Sequence, residues 1–147
     1  MMSKIKNLIS GLAGAIALNA LHESLKKTSP DMPRVDLLGE DALQKTIRYF
    51  GGNISDKETL YKSTLAGDIV GNALYYSLIG AGDRKYLWPK VAVMGISAGI
   101  GAITLPEPMG LDSDPVARNT KVKVLTVGYY LLGAVVTGLA LTLFKKS

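Results

Sequence analysis

The chain alternates between long apolar segments without charge and segments that carry nearly all of its charged residues. Residues 8–21, 91–105 and 124–144 contain no Asp, Glu, Lys or Arg, and residues 65–82 contain only Asp68. A soluble four-helix bundle would show a polar stripe every three or four residues, which residues 124–144 lack. As a helix that segment would rise about 31 Å, close to a bilayer core of roughly 30 Å. The pattern therefore predicts membrane-spanning helices.

Four such segments predict an all-α integral membrane four-helix bundle in one domain covering residues 1–147. The predicted spans are at about residues 5–25, 62–82, 89–106 and 122–144. The first three have short apolar segments, so lysine side chains and the interfacial aromatics Tyr86 and Trp88 would have to extend them. Three spans plus a surface helix is the alternative.

The long extramembrane connection, about residues 28–60, predicts one further helix. Leu38, Leu43, Ile47 and Phe50 recur at near-helical spacing, with polar residues between them and Gly51-Gly52 after them. This short amphipathic helix would lie on the membrane surface or dock over the bundle by its apolar face.

Capping residues predict where two of the spanning helices begin. Ser55 and Glu58 fit a capping box, so the helix of the second span should start in water at Asp56. Asp114-Pro115 is a cap followed by a first-turn proline, and it predicts the start of the helix that contains the fourth span.

The distribution of charge indicates the partners and the orientation. The net charge of +5 is spread over every connection, which suits an anionic lipid bilayer and does not indicate nucleic-acid binding. Short connections dense in Lys and Arg lie on the side of the termini, so the termini are predicted to be cytoplasmic. The chain has no cysteine, and hence no disulfide or thiolate metal site.

Small residues spaced four apart predict close helix packing. Gly67 with Gly71, and Gly95 with Gly99, would let helix backbones approach where lipid supplies no hydrophobic drive for association. The same pattern is compatible with a homo-oligomer.

Polar residues in or beside the spans form the candidate site. Residues 11–25 and 64–78 align without gaps and agree at nine of 15 positions, among them Asn19 with Asn72. Opposite helix directions would bring six polar side chains into one half of the membrane: Asn19, His22, Glu23, Asp68, Asn72 and Glu107. They would serve as helix-to-helix hydrogen bonds, as a solute or proton site, or in catalysis.

Enzyme motifs fail on particular residues. His22-Glu23 begins like a zinc protease helix, but Lys26 stands where the second histidine must bind and the chain has no other histidine. Residues 95–101 lack the lysine of a phosphate-binding loop. We therefore expect no enzyme, no cofactor and no metal site.

The glycine-rich spans and residues 101–111 (GAITLPEPMGL) resemble uncharacterised small four-helix bacterial inner-membrane proteins of the YagU-like kind. The resemblance implies a bacterial cytoplasmic (inner) membrane location and no particular activity. The leading expectation is a non-enzymatic structural, assembly or binding component. A small-solute, ion or proton conduit using the polar cluster is the alternative, and an intramembrane enzyme is the third.

Overall fold

The computed structural model describes residues 3–146, and that part is helical without a β-strand. Six α-helices follow one another along the chain: α1 (Lys4–Leu25), α2 (Val35–Tyr49), α3 (Lys57–Ser77), α4 (Leu87–Thr104), α5 (Asp114–Ala117) and α6 (Thr120–Lys146). Two single 3₁₀ turns, Leu78–Gly80 and Arg84–Tyr86, connect α3 to α4. The all-α class is confirmed.

Within the described residues, three segments are long and apolar enough to cross a membrane: Lys4–Leu25, Arg84–Thr104 and Thr120–Phe144. α3 is not among them, because Lys62, Asp68 and Asn72 lower its hydropathy. Its length is similar to that of α1, so the difference between α3 and the other three is one of composition.

The long helices pack antiparallel in the order α3, α1, α6, α4. At one end of α1, a Cβ atom on Gly11 would lie 2.7 Å from the amide nitrogen of Ser77, near the end of α3. At its other end, Glu23 accepts a hydrogen bond from the Tyr61 hydroxyl, near the start of α3. α1 also packs along α6, and α6 packs along α4.

The core lies where α1, α3, α4 and α6 meet. Its buried side chains include Leu18, Tyr76, Val91, Tyr129 and Leu141. The Tyr76 hydroxyl is satisfied by the Tyr130 carbonyl oxygen of α6 at 2.7 Å. Similarly, Tyr75 donates to the Met94 carbonyl oxygen of α4 at 2.8 Å. These two bonds attach α3 to the other half of the bundle.

The two glycine pairs occupy different surroundings. Cβ atoms on Gly95 and Gly99 would lie 2.9 Å from the Ala134 Cβ and 2.5 Å from the Val127 Cα, so both glycines allow α4 to approach α6 closely. Cβ atoms on Gly67 and Gly71 would meet nothing within 4 Å. The prediction that Gly67 and Gly71 allow close packing against another helix is therefore wrong within this chain, because other residues form the interior face of α3.

Two predicted helix starts also need correction. Asp56, and not Ser55, caps α3, because its carboxylate accepts from the amides of Glu58 and Thr59. Asp114 begins only the short α5. α6 starts afresh at Thr120, where the Asn119 side chain accepts from the Val122 amide at 3.0 Å.

Candidate functional site

Five of the six polar residues singled out in the sequence line one small pocket between α1, α2 and α3. Asn19, His22 and Glu23 share a face of α1 because they are spaced i, i+3, i+4, and the antiparallel α3 presents Asp68 and Asn72 to that face. The lining is completed by Tyr61, Thr64, Leu65 and Leu18 from the same two helices and by Val35 and Asp36 from α2.

Glu107 lies elsewhere. It is exposed after α4 and accepts a hydrogen bond from the Ser113 hydroxyl at 2.9 Å. Glu107 therefore does not line the pocket, because Pro106 and Pro108 end α4 and turn the chain along the surface. That all six residues share one half of the membrane stays a prediction.

The amphipathic helix predicted in the first connection is α2, and it docks over the pocket. Its Asp36 is buried and receives two hydrogen bonds from Arg34, at 3.0 Å from Nε and 2.8 Å from Nη2. The Nε2 atom of the buried His22 lies 3.2 Å from the same carboxylate, without the alignment of a hydrogen bond. Asp36 therefore links α2 to α1 below the surface.

Opposing influences act on the pKa of Asp36. Burial alone would raise the pKa of this carboxyl, but the contacts with His22 and Arg34 outweigh burial and hold its pKa well below the usual range. The same pair of hydrogen bonds raises the pKa of the Arg34 guanidinium. Asp36 is thus charged at neutral pH and compensated by cationic neighbours.

Glu23 is compensated in a similar way on the rim of the pocket. Lys26 Nζ lies 2.6 Å from its carboxylate, and Tyr61 donates its hydroxyl to the other carboxylate oxygen. The Lys26 ammonium also lies 4.6 Å from the centre of the Tyr61 ring, a favourable cation–π arrangement. Lys26 and Tyr61 thus fix Glu23 across the α1–α3 contact.

Besides the Nε2 atom of His22, two oxygen-bearing groups of the pocket have no hydrogen-bond partner in the described chain. Among residues 3–144, no hydrogen bond or ion pair reaches the Asp68 carboxylate. One turn earlier on α3, Thr64 is only 5 % exposed and its hydroxyl has no hydrogen-bond partner in the described chain. Buried polar groups are usually paired, so the unpaired Thr64 hydroxyl, with the partly buried Asp68 carboxylate one turn away, offers oxygens to a polar ligand atom.

The pocket is narrow, with room for roughly one water molecule. Asn19 donates its side-chain amide to the Ala15 carbonyl oxygen at 2.9 Å, which leaves its own amide oxygen as an acceptor. Within the described residues, no group of three His, Cys, Asp or Glu side chains could hold a metal ion. The site is therefore suited to a small polar occupant.

Sequence reasoning did not identify Arg34, Asp36, Tyr61 or Thr64 as site residues. Tyr61 and Thr64 precede Asp68 by seven and four residues, so extending its helical face towards the start of α3 would have found them. Arg34 and Asp36 carry no comparable signal. The turn from Lys26 to Arg34 brings them to His22, and no periodic pattern predicts the path of that turn.

No family model matches the chain, and comparisons with curated proteins and with solved structures find no similar protein. The resemblance of residues 101–111 to YagU-like membrane proteins stays a prediction.

Proposed function

We propose that the chain crosses the membrane four times, with α3 as the fourth crossing beside the three more apolar helices. Residues 61–77 of α3 lie against residues 11–23 of α1, as the contacts of Tyr61 with Glu23 and of Ser77 with Gly11 establish. If α1 spans the bilayer, α3 occupies the same depth. Val70, Leu74 and Leu78 form an exposed apolar face of the kind that lipid would cover.

We propose further that the protein is a non-enzymatic binding component, with the pocket as its binding site. The observation that carries the proposal is that the Thr64 hydroxyl and the Asp68 carboxylate lie one turn apart in this pocket without a hydrogen-bond partner, whereas the Glu23 and Asp36 carboxylates are paired. Natural proteins rarely leave buried polar groups unsatisfied unless they serve a purpose or a bound molecule completes them. A helix-bridging role for Asp68 would instead require a partner on α1 or α2.

The arrangement favours binding over conduction. Between the pocket and the opposite end of α1, Ala15, Tyr76 and Thr137 are fully buried. The glycine at position 14 packs so tightly that a Cβ atom there would overlap Gly133 and Thr137 of α6. A polar solute that reached Asp68 would meet close-packed helices beyond it.

We propose that the protein lies in a bacterial inner membrane, as the YagU-like resemblance implies, and that its termini are cytoplasmic. The pocket lies at the end of α1 away from the N-terminus, so it would face the opposite compartment. Self-association stays a prediction, and the open face around Gly67 and Gly71 is compatible with it.

Ligand-dependent thermal stability tests the binding proposal. Purified protein in detergent is screened against small cations, small anions and neutral polar solutes, alongside Asp68→Asn and Asn72→Ala. We expect at least one solute to raise the unfolding temperature of the unmodified chain, with the rise abolished by Asp68→Asn and reduced by Asn72→Ala. If no solute changes the unfolding temperature, or if both variants respond as the unmodified chain does, the pocket is not a binding site.

A further inference from the structure

We infer that the pocket binds one small monovalent cation, through the carboxylate of Asp68 and the hydroxyl oxygen of Thr64. This inference rests on the proposed binding function and specifies the class of its ligand. Both residues lie on one face of α3, four positions apart, so their side chains are neighbours along the helix, and both line the pocket.

The charges around the pocket favour a cation. The Glu23 carboxylate is paired with Lys26, and the Asp36 carboxylate is paired with Arg34 and approached by Lys26 at 3.8 Å. The remaining carboxylate in the lining is that of Asp68. An anionic ligand would add to this negative charge, whereas a cation would neutralise it, and buried charges are stable when they are paired.

The number and kind of ligand atoms favour a single positive charge. One unpaired carboxylate matches a monovalent ion, whereas sites for divalent ions combine more carboxylates or imidazoles, and no group of three such residues exists among the described positions. The available donors are oxygens: the Asp68 carboxylate, the Thr64 hydroxyl and the amide oxygens of Asn19 and Asn72. Oxygen donors suit hard cations.

The size of the site excludes larger cations. There is room for roughly one water molecule, so a sodium, potassium, lithium or ammonium ion fits and a choline ion does not. Gly39 of α2 packs closely against the same two α3 residues. A Cβ atom at Gly39 would lie 3.4 Å from each Asp68 carboxylate oxygen and 2.7 Å from the Thr64 methyl carbon.

The experiment measures unfolding temperature in detergent as sodium, potassium, lithium or ammonium chloride replaces choline chloride at constant ionic strength and pH. Four chains are compared: the unmodified chain and the variants Asp68→Asn, Thr64→Val and Glu58→Gln. The unfolding temperature of each chain in the other salts is compared with its own unfolding temperature in choline chloride. Glu58→Gln is the matched control, because it removes a carboxylate from the same helix where the Glu58–Lys62 pair is exposed. Equilibrium binding of radioactive sodium to the same four proteins gives a readout that is independent of folding.

We expect at least one of these ions, at about ten times its dissociation constant, to raise the unfolding temperature of the unmodified chain by about 4 °C relative to choline. Glu58→Gln should keep this rise, Asp68→Asn should abolish it, and Thr64→Val should weaken the apparent affinity about tenfold.

Equal responses in all four chains would overturn the inference, since the ions would then act on the protein surface at large. If the unfolding temperature rose only on acidification and did not depend on the cation, Asp68 would bind a proton, and this result would also overturn the inference. Stabilisation by an anion or a neutral solute, lost in Asp68→Asn, would refute the cation while leaving the binding function in place. No response to any solute would refute both.

Discussion

At the scale of single residues, Asp36 joins α2 to the bundle. It is 7 % exposed and its carboxylate contacts cationic or imidazole groups from both α1 and the start of α2. Removing one member of a buried charge pair lowers stability by more than the intact pair contributes, because the remaining charge stays buried without an opposite charge. The docking of α2 should therefore be sensitive to this one carboxylate.

Replacement of Asp36 by Asn should lower the free energy of unfolding by about 2–3 kcal/mol at neutral pH, since hydrogen bonds to a charged acceptor are lost. The folded-state pKa of Asp36 is depressed, so its stabilisation is present above its unfolded pKa of about 3.9 and is lost as pH falls through the lower folded value. Denaturant unfolding of the unmodified chain and of Asp36→Asn at a series of pH values should show that the difference between their free energies of unfolding decreases below about pH 4.

Asp41→Asn is the control, because it removes a carboxylate from the same helix whose ion-pair partner, Lys45, is about half exposed. It should change stability by less than about 1 kcal/mol. A pH-independent gap between Asp36→Asn and the unmodified chain would contradict the electrostatic account and would indicate a change in packing.

At the scale of helices, glycines allow close approach at the α4–α6, α1–α6 and α1–α3 contacts. Gly95 and Gly99 allow the α4 backbone to lie against Leu131, Ala134 and Val127. In a bilayer, where lipid chains are as apolar as leucine, such contacts replace the hydrophobic drive of a soluble core. Towards α4 and α6, α3 uses aromatic side chains, with the hydroxyl groups of Tyr75 and Tyr76 bonded to backbone carbonyl oxygens of those helices.

Two matched alanine substitutions distinguish these helices. Gly99→Ala would place a methyl carbon 2.5 Å from the Val127 Cα, a backbone atom, so α4 and α6 must separate at a cost of about 1–3 kcal/mol. Gly67→Ala meets open space and should leave stability unchanged or raise it by up to about 1 kcal/mol through helix propensity. Unfolding in mixed detergent micelles measures both, and equal losses would show that Gly67 also packs against a helix.

At the scale of the whole molecule, alternating helix directions place successive connections at opposite ends. The α1–α3 connection and the α4–α6 connection share one end, where α2 and α5 contact each other. The Arg34 amide donates to the Pro115 carbonyl oxygen at 2.9 Å across that contact. The short α3–α4 connection lies at the other end together with the start of α1.

Accessibility to an impermeant thiol reagent tests this arrangement in intact cells. Single cysteines at Ser55 and Ala81, both exposed, should differ, with Ser55→Cys labelled and Ala81→Cys labelled only after lysis. The opposite result would reverse the orientation. Labelling of both sites in intact cells would mean that α3 does not cross the membrane and that the chain has three spans.

The sequence by itself determined the helical class, the positions of the apolar segments and five of the residues that line the pocket. These features depend on periodicity and hydropathy, which are local properties: Asn19, His22 and Glu23 share a face wherever α1 is placed. Tertiary structure alone decided that Asp36 pairs with Arg34 beside His22, that Gly39 packs against Thr64 and Asp68, and that Gly67 faces outward while Gly99 packs inward. Each of these contacts depends on the path of a connection or on which face of a helix meets its neighbour. A helix that carries small and apolar residues on several sides does not specify that face.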